Sequence, residues 1–323
     1  MGNQQTKAQE TMSAYVREST LTYRTDYPQP DTKLEPDQVC LRILAAAINP
    51  ADYKAPKIFI GPVVGLDVCG IVASAGQDSP FPVGTRVYGT ARGTLAQYVV
   101  CKHTSLGKTP DVLSNVHAAA MPTTYLTSLQ ALRDHGSLPN EGGKLLIIGA
   151  SGGCGLAAVQ LARRMNAETI VGVCSGKNKD IVLGNGAHRV IDYTVNNFWE
   201  DDGAKYDVVY DTATNSGAGE DYKGHAVSVL HKKERHGQYV AINGGTSMWL
   251  RKFTCGVPSN QHLFLTHANT KDMNEISRFV NEGMRPVIQK EMTFTAEHVE
   301  EGFLMLKSRR TVGKIVFVMV PVL

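Results

Sequence analysis

A chain of 323 residues with 42% hydrophobic and 20% charged residues has the make-up of an ordinary globular protein and the length of about two domains. Its net charge of +3 comes without a dense basic run. The nearest candidate, HKKERH at 231–236, is interrupted by Glu234 and stopped by Gly237 as a solvated helix end would be, so nucleic-acid binding has no electrostatic support. No apolar stretch reaches the roughly 18 residues of a membrane span. The six cysteines form no C-x-x-C pair, as expected of reduced core thiols in a cytoplasmic compartment.

The first dozen residues, MGNQQTKAQETM, are polar and read as a mobile tail. Gly2 followed by Thr6 fits the M-G-x-x-x-[ST] pattern of N-myristoylation, and Lys7 would favour an anionic surface. One acyl chain binds membranes only reversibly, so the expected distribution is cytoplasmic and partly membrane-associated. Residues 15–40 are extended and interrupted by Pro28, Pro30 and Pro36, and a strand follows over 39–47. In INPADYK at 48–54, Pro50 starts a helical turn that carries Asp52, Tyr53 and Lys54. Short apolar runs broken by glycines, at 61–76, 83–89 and 93–102, predict a compact β-rich domain built as a partly open barrel. Pro122 then opens a helix over 123–132 that bridges into a second domain.

That second domain is organised around KLLIIGASGGCG at 144–155. An unbroken apolar strand at 145–148 runs into a glycine turn and then a helix from about Gly153. Gly149, Gly152 and Gly155, with Ser151 and Cys154 between them, leave room for a pyrophosphate at the helix N-terminus. The spacing G-x-x-G-x-x-G is looser than the common fingerprint, and it is the strand–turn–helix context that gives it meaning. Further strands at 171–174, 189–192, 206–211, 238–242 and 262–267 alternate with helical segments, predicting a doubly wound Rossmann sheet and an α/β fold. An NAD site places an acid about 20 residues beyond the glycine turn. Here that place reads Ser175, Gly176, Lys177, Asn178, and a lysine there attracts a 2′-phosphate, favouring NADP(H). Thr212 and Ala213, with Asn243 and Gly244 in 243–245, end the fourth and fifth strands at the carboxyl edge where ligands bind. The apolar edge at 262–267, HLFLTH, invites pairing with a second copy.

Taken in order, INPADYK, GPVVGLDVCGIV, GTLAQYVV, PTTYLTSLQAL, GASGGCGLAAVQLA, GAHRVIDYT, YDVVYDTA and GKIVF resemble the zinc-free quinone oxidoreductases of the medium-chain dehydrogenase/reductase superfamily, over residues 15–318. The resemblance implies a GroES-like domain at 1–124 completed by 285–323, a Rossmann domain at 125–284, and a homodimer joined through 262–267. Zinc alcohol dehydrogenases of the superfamily have Gly-His-Glu where this chain has Gly65, Leu66 and Asp67. Leucine cannot ligate a metal, and the ten histidines show no H-E-x-x-H spacing. What remains is direct hydride transfer to a quinone or an enone. The resemblance further implies that Lys177 and Tyr193 hold the 2′-phosphate, that Asn49, Asp52, Tyr53, Lys54 and Thr127 line the nicotinamide pocket, and that Gly313 and Lys314 form a returning contact. Tyr53 or Lys54 could supply a proton; packing between domains and a surface ion pair are their respective alternatives. The other function open at this point is a membrane-associated nucleotide-binding scaffold with little turnover.

Overall fold

A computed structural model describes residues 10–31, 33–138, 143–201, 205–214, 220–231, 237–244, 250, 256 and 258–320. Gly2, Thr6, Lys7, residues 232–236, Gly245, Cys255 and 321–323 lie outside the described residues. Strands β1 (Thr11–Arg17) and β2 (Leu21–Pro28) pair as a hairpin. Met12, Ala14 and Val16 alternate inward against Val63 and Ala96. The polar tail expected over the first dozen residues therefore ends before Thr11, because a period-2 apolar pattern starts there.

The first large sheet is laid down by β3 (Gln38–Ala47), β4 (Asp67–Ala75), β5 (Arg86–Thr90), β6 (Tyr98–Lys102) and β7 (Leu106–Lys108). β3 pairs along one edge with β4, while its other edge takes β6 through its first half. Leu41, Ile43, Val68, Val72, Val87 and Leu95 fill the interior of this partly open barrel.

The second sheet is parallel and has the order β10-β9-β8-β11-β12-β13. Its strands are β8 (Lys144–Ile148), β9 (Thr169–Cys174), β10 (Arg189–Asp192), β11 (Val208–Asp211), β12 (Gln238–Ala241) and β13 (Gln261–Leu263). Leu145 and Ile147 face helices Pro122–Gln130, Gly153–Arg164 and Thr270–Asn281, whereas Leu146 and Ile148 face Phe198, Ala226 and Leu230. Both faces are covered, as a doubly wound sheet requires. The chain starts at the centre, builds outward through β9 and β10, then crosses to β11, leaving a topological switch point beside β8.

Two elements end differently from what their sequence suggests. The bridging helix is α-helical over Pro122–Gln130 and continues as a π-helical turn over Ala131–His135. The edge strand stops at Leu263 instead of running to His267. Gln130 reaches across to both the N–H and the C=O of His267, and Thr127 to Thr266, so this helix draws the chain off the sheet.

The C-terminal strands β14 (Ile288–Thr293) and β15 (Lys314–Val318) return to the first sheet, β15 pairing with the second half of β3. Lys314 is thereby carried into the interior. Its Nζ is bonded to the Asp67 carboxylate at 3.0 Å, to the Ile48 carbonyl at 3.1 Å and to the Asn49 side-chain oxygen. The other Asp67 oxygen accepts from the Thr123 N–H and hydroxyl at 2.8 and 2.5 Å. With side chains 5% and 0% exposed, Lys314 and Asp67 form a buried pair joining β15, β4 and the bridging helix.

Lys314→Met should cost about 3–5 kcal/mol in chemical denaturation, because it leaves the Asp67 charge buried without a cation. The double variant Lys314→Met with Asp67→Leu should recover most of that loss. A single variant within about 1 kcal/mol of wild type would refute this role.

Candidate functional site

A cleft of about 1280 Å³ separates the barrel from the parallel sheet and opens along the carboxyl ends of the strands. Tyr53, Lys54, Thr127, Asn49, Ser151, Gly152, Gly153, Cys154, Ser175, Lys177, Tyr193, Thr212, Ala213, Asn243, Gly313 and Lys314 all line it. Of the candidate residues among the described ones, Asp52, Gly155 and Gly244 are outside the lining. Asn243 folds back to donate to the Thr212 carbonyl at 3.2 Å, which ends the cleft wall at that residue.

The glycine turn is shaped for different reasons at each glycine. Gly149 has φ +83° and a Cβ there would meet the Thr212 hydroxyl at 2.4 Å; at Gly155 a Cβ would meet the Gly149 carbonyl oxygen at 2.3 Å. Gly152 is different: its φ is −76°, and an added Cβ would meet nothing nearer than 3.5 Å. The fold does not demand glycine at this position, whereas a ligand lying against the turn would. Gly152 caps helix Gly153–Arg164 without a side-chain hydrogen bond, leaving the opening N–H groups to a ligand. These features fit a pyrophosphate. The Gly313 N–H donates to the Ser151 carbonyl at 3.1 Å, docking the returning strand on the turn.

Beyond β9, the turn Gly176–Asn178 is tied to the glycine turn by the Asn178 amide donating to Ser151 Oγ at 3.1 Å. This sets Lys177 and Tyr193, both exposed, on one side of the switch point. Asp192 also lines the cleft there, although nothing in strand pattern or motif spacing singled it out. Its Oδ1 accepts from the Thr194 N–H and hydroxyl at 3.0 and 2.7 Å, and a Cβ on Gly176 would strike its carboxylate. These hydrogen bonds hold the Asp192 carboxyl below the usual carboxylate range.

On the barrel side, the helical turn Pro50–Lys54 points Tyr53 and Lys54 at the cleft. Tyr53 packs edge-on against Phe303, with ring centroids 6.5 Å apart, and burial pushes its phenol pKa up. Burial pulls the Lys54 ammonium down, with the charge of Arg309 adding to it and Glu220 opposing. Glu220 from the sheet side and Arg309 from the barrel side form an ion pair across the cleft, a contact between residues 89 apart that no local pattern reveals. Asn49 and Lys314 line the cleft with their polar atoms committed to each other and to Asp67. They brace the wall more than they offer free groups to a ligand.

Asp52, expected from the resemblance to line the nicotinamide pocket, is instead fully buried behind the cleft wall. Its Oδ2 accepts from the Asn49 N–H at 2.7 Å and closes a capping box, while Oδ1 has no partner among the described residues. Arg17 donates to the Asp52 and Ala55 backbone carbonyls, pinning the turn to β1. Burial pushes the Asp52 carboxyl up to about 7, Asp67 adding to it against the Asn49 N–H, Lys314 and Arg17.

An unfolded aspartate ionises near 4. Between about pH 4 and about 7 the folded chain thus keeps a proton that the unfolded chain has released, and this group's contribution to stability falls as pH rises. Asp52→Asn should flatten the decline in unfolding free energy between about pH 4 and 7, gaining relative to wild type at the higher pH. Parallel stability–pH profiles for the two proteins would exclude Asp52 as the titrating group.

Residues 35–111 match the family described as Alcohol dehydrogenase GroES-like domain, and residues 185–317 that described as Zinc-binding dehydrogenase. The 2-methylene-furan-3-one reductase of Solanum lycopersicum is 29% identical over 327 residues, covering 95% of this chain and 78% of that protein. The NADPH-dependent alkenal/one oxidoreductase of Arabidopsis thaliana is 26% identical, covering 90% and 74%. The quinone-oxidoreductase homolog of Spinacia oleracea is 34% identical over a shorter match, 56% and 60%. A solved quinone oxidoreductase structure from Coxiella burnetii shares the fold, with a TM-score of 0.82 at 24% identity over 96% of this chain and 99% of that one. A zinc ion does not fit here: Leu66 carries no donor, Asp67 is engaged by Lys314, Asn49 and Thr123, and no group of three His, Cys, Asp or Glu among the described residues is placed to hold a metal. The relatives named here are quinone and enone oxidoreductases, and with a GroES-like barrel, a Rossmann sheet and both family matches in chain order, the protein belongs to the medium-chain dehydrogenase/reductase superfamily.

Proposed function

We propose that the chain is a zinc-independent, NADPH-dependent oxidoreductase that delivers hydride to a quinone or an α,β-unsaturated carbonyl compound. The observation that carries this reading is the single cleft that gathers the glycine turn, Lys177 and Tyr193 at one end and Tyr53, Lys54 and Thr127 at the other. The names of the relatives, which include an NADPH-dependent alkenal/one oxidoreductase, support it. In this reading residues 125–284 hold the nucleotide, and residues 1–124 with 285–323 supply the acceptor side.

The turn at Gly149, Ser151, Gly152, Gly153 and Cys154 would hold the pyrophosphate against the helix N-terminus. Lys177 would pair with the 2′-phosphate and Tyr193 would cover it; Ser175 would flank them, and Thr212, Ala213 and Asn243 would meet the second ribose and the nicotinamide. NADPH, when bound, supplies the hydride. The protein then has to orient the acceptor, stabilise charge on its oxygen and provide a proton. Burial favours the protonated phenol of Tyr53 and makes the Lys54 ammonium a readier acid, so both suit the last task. Leu66 and Leu126 in the cleft wall help to exclude water from the acceptor.

Two parts of the reading rest on sequence pattern. Acylation of Gly2 would give a reversible membrane pool; the intact mass of protein from its own cells should carry an added fatty acyl group, and a retained Met1 or a free Gly2 would exclude it. A homodimer through the β13 edge would be excluded by a monomeric mass in light scattering at micromolar concentration.

Cofactor choice gives the most direct test. Lys177→Ala should raise the NADPH dissociation constant about tenfold or more, the loss of one charge-assisted contact, and leave NADH binding nearly unchanged. Equal weakening of both cofactors would remove Lys177 from the phosphate site.

A further inference from the structure

We infer that Thr266, through its hydroxyl pair with Thr127, is a substrate-contacting residue that donates a hydrogen bond to the acceptor's carbonyl oxygen as hydride arrives. The inference deepens the function proposed above and rests on it. Thr266 sits just after β13, and Thr127 faces it from the bridging helix, with the two Oγ atoms 2.6 Å apart. Both line the cleft.

Topology places this pair at the redox end. A dinucleotide crossing the switch point, with its phosphate-bearing half at Lys177 and Tyr193 beyond β9 and β10, extends its other half over β11, β12 and β13. Thr212, Asn243 and Thr266 follow those three strands in turn.

Proton arithmetic then gives the pair its use. Two hydroxyls carry two protons, and their mutual hydrogen bond takes one. Neither hydroxyl makes another hydrogen bond among the described residues, so the second proton is directed to the cleft or its contents. The hydroxyl that keeps it is also accepting a hydrogen bond, which polarises it into a better donor. Most other cleft threonines have their protons assigned: Thr123 to Asp67, Thr124 to the Ala120 and Met121 carbonyls, Thr194 to Asp192, Thr212 to the Ile148 carbonyl. Thr90 has no partner among the described residues to orient its hydroxyl.

The chemistry asks for such a donor. When hydride adds to the β carbon of an enone, the C=C electron pair moves toward the carbonyl and the oxygen takes the negative charge, before a proton reaches the α carbon. With a quinone the charge likewise appears on oxygen. A neutral hydroxyl aimed at that oxygen stabilises the charge, and the proton itself is left to Tyr53, Lys54 or water.

The test compares Thr266→Val, which keeps the shape and removes the hydroxyl, with Thr266→Ser, which keeps the hydroxyl. For each, kcat and KM are measured with one enone and one quinone, alongside the NADPH dissociation constant and the melting temperature. Thr266→Val should lower kcat roughly ten- to a hundredfold for both acceptors with NADPH affinity unchanged and melting lowered by no more than the loss of one hydrogen bond allows, and Thr266→Ser should restore most of the rate. Unchanged kcat in Thr266→Val, or a loss confined to NADPH affinity, overturns the assignment, the latter making Thr266 a cofactor contact. Failure of the proposed function itself looks different: wild type would bind NADPH and reduce neither acceptor, which overturns both.

Discussion

The buried pair between Lys314 and Asp67 is the contact on which the rest of the architecture turns. It brings together a residue from the C-terminal strand and one from the middle of the barrel, 247 positions apart. Asn49 and Thr123 complete its hydrogen bonding, so the acceptor-side turn and the start of the bridging helix are held by the same two charges. A charge taken from water is tolerated only when it is paired and its remaining hydrogen-bond capacity filled. Lys314 meets that condition with three acceptors, and Asp67 with donors at both oxygens. The Gly-His-Glu of the zinc dehydrogenases is thus replaced by an arrangement that uses the same corner of the fold to fasten its walls.

From that fastening follows the shape of the cleft. Helix Pro122–Gln130, anchored at Thr123, carries Thr127 and Gln130 toward the end of β13 and lifts the chain after Leu263 away from the sheet. The returning strand β15 brings Gly313 onto the glycine turn. Barrel and sheet therefore meet at two places close to where a nucleotide would lie, and the Glu220–Arg309 pair adds a third contact at the opening. Tyr53 and Lys54 are presented by a turn whose capping carboxylate, Asp52, is itself packed against this charged centre.

Much of this was legible in sequence where the signal is local. Strands β8 to β12 fall within two residues of their apolar runs, since a parallel strand covered on both faces leaves a continuous apolar record. The helix after the glycine turn begins at Gly153 as its pattern predicts. The signal was misleading where a local pattern met a distant partner. HLFLTH reads as a full strand, yet it stops at Leu263 because Gln130 competes for its backbone. Asp52 groups with the pocket residues Tyr53 and Lys54 in sequence because their helix is only five residues long and has no periodicity to show which side is buried.

Chain order and residue type by themselves determined the two-sheet plan, the glycine turn, the lysine in the place of an NAD-type acid, and the absence of a donor at Leu66. Each of these is a property of a few consecutive residues, governed by backbone freedom, alternation or charge. Only the tertiary structure decided that Asp67 faces Lys314, that Thr127 meets Thr266 and that Glu220 meets Arg309. Those partners lie 89 to 247 positions apart. A hydrogen bond between them exists only once the folded chain has brought their atoms within about 3 Å, and nothing in the order of the residues records that approach.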